Sequence, residues 1–358
     1  MGATNFKKAG ILVLILVAAV IGCWEFYLRS IGVSNSFDDN QASWAHKRTE
    51  VYDEPQNSTF FVGGSHIKFD VDLKTWESIT GEKAVQLALV GTSPQLVLAD
   101  LANDKKFKGK IIVDGTEFEL FSGDPGDQKN AKAAIAYYKD LTPAQKVSFY
   151  MDYFLQSNFV FLESKKFSLN ALLKRIPFGN RKGIFTNTGF PVGFEPMAFN
   201  RQNIMSDDFI KDTLRQLEMK KIWSMDITKT LGPTGDTLLN TLADVKNSID
   251  KLKQRGCQII FVNPPVSGYL LEVEKIAYPR EFFWDKLLSY TNTPGVYFED
   301  YPEMTHFICP EWSHLSPKDA ATFTKNLINI LQQKGWSFPN KQTIALHTLT
   351  PKTLSHGF

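Results

Sequence analysis

Five short apolar runs, each bounded by glycine or proline, constrain this chain more than any other feature. They are STFFVGG (58–64), AVQLALVG (84–91), KIIVDG (110–115), CQIIFVNPP (257–265) and GVYFEDY (295–301). They are near-continuously apolar rather than alternating, the pattern of strands buried on both faces. Between them the period shifts to that of helices. Ser93-Pro94 starts one running to about Asn103, since proline at the first helical position gives up no hydrogen bond. From 237 to 254, Leu238, Leu242, Val245, Ile249 and Leu252 recur every three or four residues, and Gly256 supplies the stop. A last helix comes after Ser316-Pro317, with Ala320, Phe323, Leu327, Ile328 and Leu331 on one face and Gly335 at its end. Strands alternating with helices imply a parallel sheet with right-handed crossovers. The expected fold is a doubly wound (flavodoxin-like) α/β layer spanning 58–336, broken by a long insertion and succeeded by a weakly ordered tail, 337–358.

Composition narrows the partners. Forty Lys plus Arg against 38 Asp plus Glu leave a formal charge of +2. That balance lacks the basic field on which sequence-independent nucleic-acid binding relies, so no nucleic acid is expected. Cys23, Cys257 and Cys309 are too few and too scattered for a disulfide framework or a CxxC-type metal cluster. If Cys257 opens the fourth strand and Cys309 lies past the end of the fifth, a strand length of about 17–20 Å separates them, too far to bridge.

The N-terminus adds a second element. After Lys7-Lys8 the chain is apolar from Ala9 to Trp24, then reads EFYLR. Residues 9–29 approach the roughly 20 needed to cross a bilayer. Lysines before the run and Asp38-Asp39 after it put residues 1–8 in the cytoplasm and the main domain outside, by the positive-inside rule. Two other readings stay open: cleavage as a signal peptide, which the Trp24–Leu28 continuation disfavours, and lipidation of Cys23 in VIGC. Residues 30–57 are polar and irregular and read as a stalk.

The insertion spans 121 to about 233. Leu141-Thr142-Pro143-Ala144-Gln145 has a capping-box pattern. Phe149, Tyr150, Tyr153 and Phe154 come next, then Phe159, Phe161 and Phe167, and a second helix is expected over 207–223. Aromatics at helical spacing usually pack a core, so a helical cap is the simpler reading; the sharper one is a lid over a cleft or a contact with the membrane surface.

In a parallel α/β sheet, ligands bind outside the carboxyl ends of the strands. The residues there are Gly63-Gly64-Ser65-His66, Gly91-Thr92-Ser93, Asp114-Gly115-Thr116-Glu117, Asn263-Pro264-Pro265 and, past the fifth, CPEWSHLSP (309–317). A serine needs a base to attack a carbonyl. His314 is the candidate, with Glu311 three residues upstream to fix its tautomer. Backbone N–H groups at Ser65 and Gly91 can serve a developing oxyanion. His66, Asp114 and Asn263 are candidates to touch substrate, as is Glu117. Each has a plainer reading: Ser65 as a turn cap, a lone histidine as structural, carboxylates at strand ends as solvated.

GGSH resembles the first block of the SGNH, or GDSL-like, hydrolases. Gly91 resembles their second-block glycine, and Glu311-Trp312-Ser313-His314 their final Asp-x-x-His block. More closely, the chain is similar to membrane-anchored bacterial SGNH-like envelope proteins, with Glu25, Arg29, Trp44 and Arg48 ahead of GGSH, QLALVGTSP and SHLSP. The third-block Asn is missing, since that strand end reads DGTEFE, and Glu replaces Asp in the last block. The resemblance implies an extracytoplasmic serine esterase or O-acyltransferase acting on an envelope polysaccharide or other acylated carbohydrate. It also implies no metal or organic cofactor, and a membrane acyltransferase as a possible neighbour. The rival is a binding or assembly subunit that keeps the fold without turnover; lipid ester hydrolysis is a third idea.

Overall fold

The computed structural model describes residues 3–121, 128–174, 176, 189–227 and 231–339. Five strands form one all-parallel sheet: β1 (Ser58–Val62), β2 (Lys83–Gln86), β3 (Lys110–Asp114), β4 (Gln258–Asn263) and β5 (Gly295–Tyr297). Their order is β2-β1-β3-β4-β5. In register, Phe61 stands opposite Gln86 and Ile112, Val62 opposite Val113, Asp114 opposite Val262, and Asn263 opposite Tyr297. The carboxyl ends therefore share one rim.

Phe60, Phe61, Val62, Ile111, Ile112, Val113, Ile260, Phe261 and Val262 are all buried, so neither face of the central strands meets water. Each such side chain contributes about 1.5–3 kcal/mol relative to exposure. Helix Pro317–Gln333 packs on helices Ser65–Asp70 and Leu73–Thr80, while helix Gly235–Gln254 packs on Gln95–Asn103 and Trp284–Thr291. Ser316 caps the former through the Asp319 N–H.

Several expected boundaries move. β2 stops at Gln86, although Leu87 and Leu89 still donate to Phe61 O and Gly63 O at 2.8 and 2.9 Å. The fifth run ends its strand at Tyr297 and tightens into a 3-10 turn over Phe298–Asp300. The expected helix over 207–223 is two, Asp207–Lys211 and Thr213–Ile227.

The segment expected as a stalk is largely built into the domain. Helix Gln41–Thr49 buries Trp44, whose indole N–H donates to Leu87 O, and Arg48, which reaches Asp100 and Asp104 at 2.9 and 2.8 Å. Asp39 pairs with the buried Lys68 and Arg201. The start of the expected loose tail also packs: Phe338 is buried against Trp76 and near Trp336, while 340–358 lie outside the described residues.

Ahead of the domain runs helix Ala3–Ser30. An 18-residue window within Phe6–Ser30 has a mean hydropathy of 2.5, and almost none of it is covered by protein. At about 1.5 Å per residue it is long enough to cross a bilayer. Within the insertion, the Thr142–Gln145 capping box forms and opens helix Pro143–Asn158. Phe194, Met205, Phe209 and Met219 join Phe69 in a small second core.

Candidate active site

The two glycines after β1 owe their place to what closes on them. A Cβ on Gly63 would fall 2.4 Å from Asp114 Cβ, and one on Gly64 would fall 1.9 Å from Glu119 Oε2. Bare backbone lets two carboxylates, Asp114 at the end of β3 and Glu119 just beyond it, press against the turn that delivers Ser65. Asp114 accepts the Gly64 N–H at 3.2 Å, the Thr116 N–H at 3.0 Å and the Thr116 hydroxyl at 2.7 Å. Glu119, in helix Glu117–Phe121, accepts both the N–H and the hydroxyl of Ser65 at 2.9 Å through Oε1. Ser65 opens helix Ser65–Asp70 and is 9% exposed.

His66 faces the same carboxylate. Its Nδ1 lies 3.8 Å from Glu119 Oε1, and its Nε2 meets Ser313 Oγ at 3.2 Å. Burial disfavours its charge, yet Glu119, helped by Asp114 and Asp70, lifts its pKa to about 10. Burial acts on Glu119 in the opposite sense to His66, but His66 wins and holds Glu119 below the usual carboxylate range. Asp114 moves up instead, through burial and the adjacent Glu119 charge. The turn therefore carries an imidazolium–carboxylate pair with a second carboxyl disposed to keep its proton.

The same three side chains have the donors of a cation site. His66, Asp114 and Glu119 place one ligating atom each within 4.8 Å of one another, and all are buried. His66 Nδ1 and Glu119 Oε2 have no hydrogen-bond partner among the described residues. One imidazole and two carboxylates suit a divalent ion such as zinc, which would draw them closer to reach about 2.0–2.2 Å. Cysteine spacing gives no hint of this trio.

His314 stands in a different setting. Its Nδ1 is 3.0 Å from Glu311 Oε1, which also accepts the backbone N–H of His314. Glu311 Oε2 accepts the Trp223 indole N–H and the Ser313 N–H. Between them Trp312 adopts φ +81°, a left-handed conformation rare outside glycine, which folds Glu311 back toward the ring. With Nδ1–H given to the carboxylate, Nε2 keeps a bare lone pair, buried and without a partner among the described residues. The ring packs against Phe69 at 4.5 Å, His66 at 5.0 Å, Phe194 at 5.7 Å and Trp223 at 5.9 Å. Burial lowers its pKa against the pull of Glu311, which keeps it neutral.

The structure thus joins Glu311 to His314 as expected, and brings His66 and Asp114 to the serine turn. It does not join Ser65 to His314, because the Ser65 hydroxyl is spent on Glu119. The expected oxyanion donor at Ser65 is occupied by the same carboxylate. Gly91 sits in the adjoining turn with φ +60°, where glycine is favoured. Asn263 points elsewhere: its amide donates to Glu117 Oε2 at 2.7 Å, and burial raises the Glu117 pKa to about 8. Glu119, Trp223 and Phe194 were not singled out from sequence. The x-Glu-x-Glu after β3 was the available sign for the first; the other two carry none. No protein-family model matches this chain, and no curated protein matches its sequence. The residues themselves define the class of site: a carboxylate-held serine beside a caged, oriented histidine at the rim of a parallel sheet.

Proposed function

We propose that the protein is a serine acyl-ester hydrolase or O-acyltransferase, with Ser65 as nucleophile, His314 as base and Glu311 as the group that orients it. The observation that carries this reading is the bare Nε2 of His314, oriented by a carboxylate and kept neutral at the rim that also presents Ser65. A buried imidazole nitrogen left unpaired costs about 1–3 kcal/mol unless something uses it. The strand order supports a flavodoxin-like, doubly wound layer of the SGNH type. The block resemblance supports an acylated envelope carbohydrate as substrate, handled outside the membrane.

In the reaction, the Ser65 oxygen bonds to the ester carbon while its proton passes to His314 Nε2. The carbonyl oxygen gains the negative charge and turns to the N–H groups of Ser65 and Gly91. Collapse breaks the ester C–O bond, and the departing alkoxide takes the proton back. Water or a sugar hydroxyl then repeats the steps in reverse on the acyl-serine. Glu119 Oε1 occupies the place this carbonyl oxygen needs, so the carboxylate must leave Ser65 for turnover.

A second reading has its own observation. Glu119 takes both donors of Ser65, which suits a binding or assembly subunit whose serine no longer reacts. A fluorophosphonate probe separates the two. The enzyme reading expects labelling of the wild type, none in Ser65→Ala, and about tenfold faster labelling in Glu119→Ala, which frees two charge-assisted hydrogen bonds of about 1.5–3 kcal/mol each. Absence of labelling in both wild type and Glu119→Ala, beside a labelled control hydrolase, leaves the binding reading.

A further inference from the structure

The insertion meets the end of the apolar helix at one level. Glu25 accepts the N–H groups of Val160 and Phe161 at 3.0 and 3.1 Å, and Arg29 donates to Asn158 O at 2.9 Å. Trp24 lies against Phe167, with ring centroids 6.5 Å apart. Trp24 and Tyr27 close the apolar run, where an aromatic belt marks a membrane–water interface. Whatever is docked there sits at headgroup depth.

Just beyond Phe167 the chain forms helix Leu169–Lys174. Leu169, Leu172 and Leu173 fall at i, i+3 and i+4, one helical face, and Ile176 comes just past the helix end. Much of this apolar surface is open: the four side chains are 73, 44, 48 and 48% exposed. From 164 to 183 the sequence holds six Lys or Arg and no Asp or Glu. An apolar stripe with basic flanks is the pattern of a helix that lies in the bilayer surface and favours anionic headgroups.

We propose that residues 164–174, together with Ile176, form a second, shallow membrane contact, with Leu169, Leu172, Leu173 and Ile176 in the headgroup–acyl boundary of the bilayer that the N-terminal helix crosses. The proposal rests on that helix being an anchor. Its occupant is lipid, because the segment that carries the stripe is tied to the N-terminal apolar helix just ahead of it, through Glu25 on Val160 and Phe161 and Trp24 on Phe167. The insertion then carries this contact at one end and, through Trp223 and Phe194, the cage of His314 at the other, so membrane and site share one segment.

The full chain, with Cys23→Ser, is labelled with an environment-sensitive fluorophore at a single new cysteine and placed in vesicles of phosphatidylcholine with or without phosphatidylglycerol. Positions are Leu172→Cys, Val17→Cys in the anchor and Lys325→Cys on the exposed side of helix Pro317–Gln333. The Leu172 probe is expected to shift to the blue and to be quenched about twofold or more by a nitroxide placed shallow in the acyl chains, at a depth of about 5–10 Å. Quenching should be stronger with phosphatidylglycerol, and the Lys325 probe should stay in water. A water-like Leu172 probe beside a quenched Val17 probe overturns the contact and leaves the anchor standing. Val17 in water overturns both. A Leu172 probe shielded from water but untouched by lipid nitroxide points to a protein occupant and also overturns the proposal.

Discussion

Ser65 and His314 are linked by a single step, His66 bonded to Ser313, yet their surroundings differ in kind. Around Ser65 the groups are charged and their hydrogen bonds mostly made: Glu119 takes the serine, Asp114 takes Gly64 and Thr116, and His66 supplies the counter-charge. Around His314 the walls are rings, and the nitrogen that matters has no bond among the described residues. On the hydrolase reading this difference divides the work: the serine turn is satisfied as it stands and would have to be disturbed to react, whereas His314 would be the group that takes the proton. Charge–charge compensation makes the first stable; a carboxylate on the far side of the ring leaves the second with an oriented, unpartnered nitrogen.

Removing the waiting nitrogen is the harshest way to break this contrast. His314→Ala should slow fluorophosphonate adduct formation by about a thousandfold or more, while Glu311→Gln, which loses the oriented tautomer, should fall between it and wild type. Equal labelling rates in wild type and His314→Ala would show that another group activates Ser65, with Glu119 the first suspect. Next in size is the turn. Gly64→Ala drives a methyl into Glu119 and should cost about 2–3 kcal/mol in urea unfolding, the upper range for overpacking. Combining it with Glu119→Ala should restore much of the loss; simple additivity of the two would mean that the close approach is not what the glycine serves.

Legibility divides along the same line. The places of Ser65, Glu311 and His314 could be read because local sequence states them: a glycine pair ends a buried strand, and an acid three residues before a histidine can reach its ring. The five strands were visible for a related reason, since burial on both faces leaves an unbroken apolar run. Glu119 was not legible. A glutamate just past a strand reads as solvated, and only the missing Cβ of Gly64, far away in sequence, gives it a pocket. Trp223 was beyond reach because its bond to Glu311 joins segments with no local signature in common. Helix Gln41–Thr49 read as a stalk for want of apolar residues, as only Trp44 carries a large one; its buried Arg48 is held by Asp100 and Asp104, partners that a linear reading cannot pair.

Protons offer a milder probe of the charged half. His66 has a folded pKa raised to about 10, so the stability it contributes is full below its unfolded value of about 6.5 and fades as pH rises toward 10. Glu117, raised by burial to about 8, also keeps a proton in the folded state that the unfolded chain releases above about 4.5, so it too makes stability fall with rising pH, up to about 8. Both slopes act together from about pH 6.5 to 8. Unfolding free energy should drop by about 1–2 kcal/mol across that window, well under the limit of about 1.4 kcal/mol per group per pH unit. Glu117→Gln keeps an acceptor for Asn263 and should make the fall between pH 5 and 8 shallower while leaving the part due to His66, Asp114 and Glu274, whereas an unchanged slope would mean that Glu117 is ionised in the folded protein.

The gentlest test touches the point where the insertion reaches the caged half. Trp223→Phe keeps a ring against His314 but removes the indole N–H from Glu311. One hydrogen bond to a charged group is worth about 1.5–3 kcal/mol, and Glu311 retains its other donors, so a stability loss near 1 kcal/mol is expected. If the insertion only covers the sheet edge, that loss should appear in unfolding alone and labelling should keep its wild-type rate. If Trp223 helps to aim the carboxylate, labelling should slow by about threefold to tenfold and Trp223→His, which can present an N–H again, should recover part of it. The rescue is the measurement that distinguishes them, because packing loss from a smaller ring would persist in both variants while orientation would return in one.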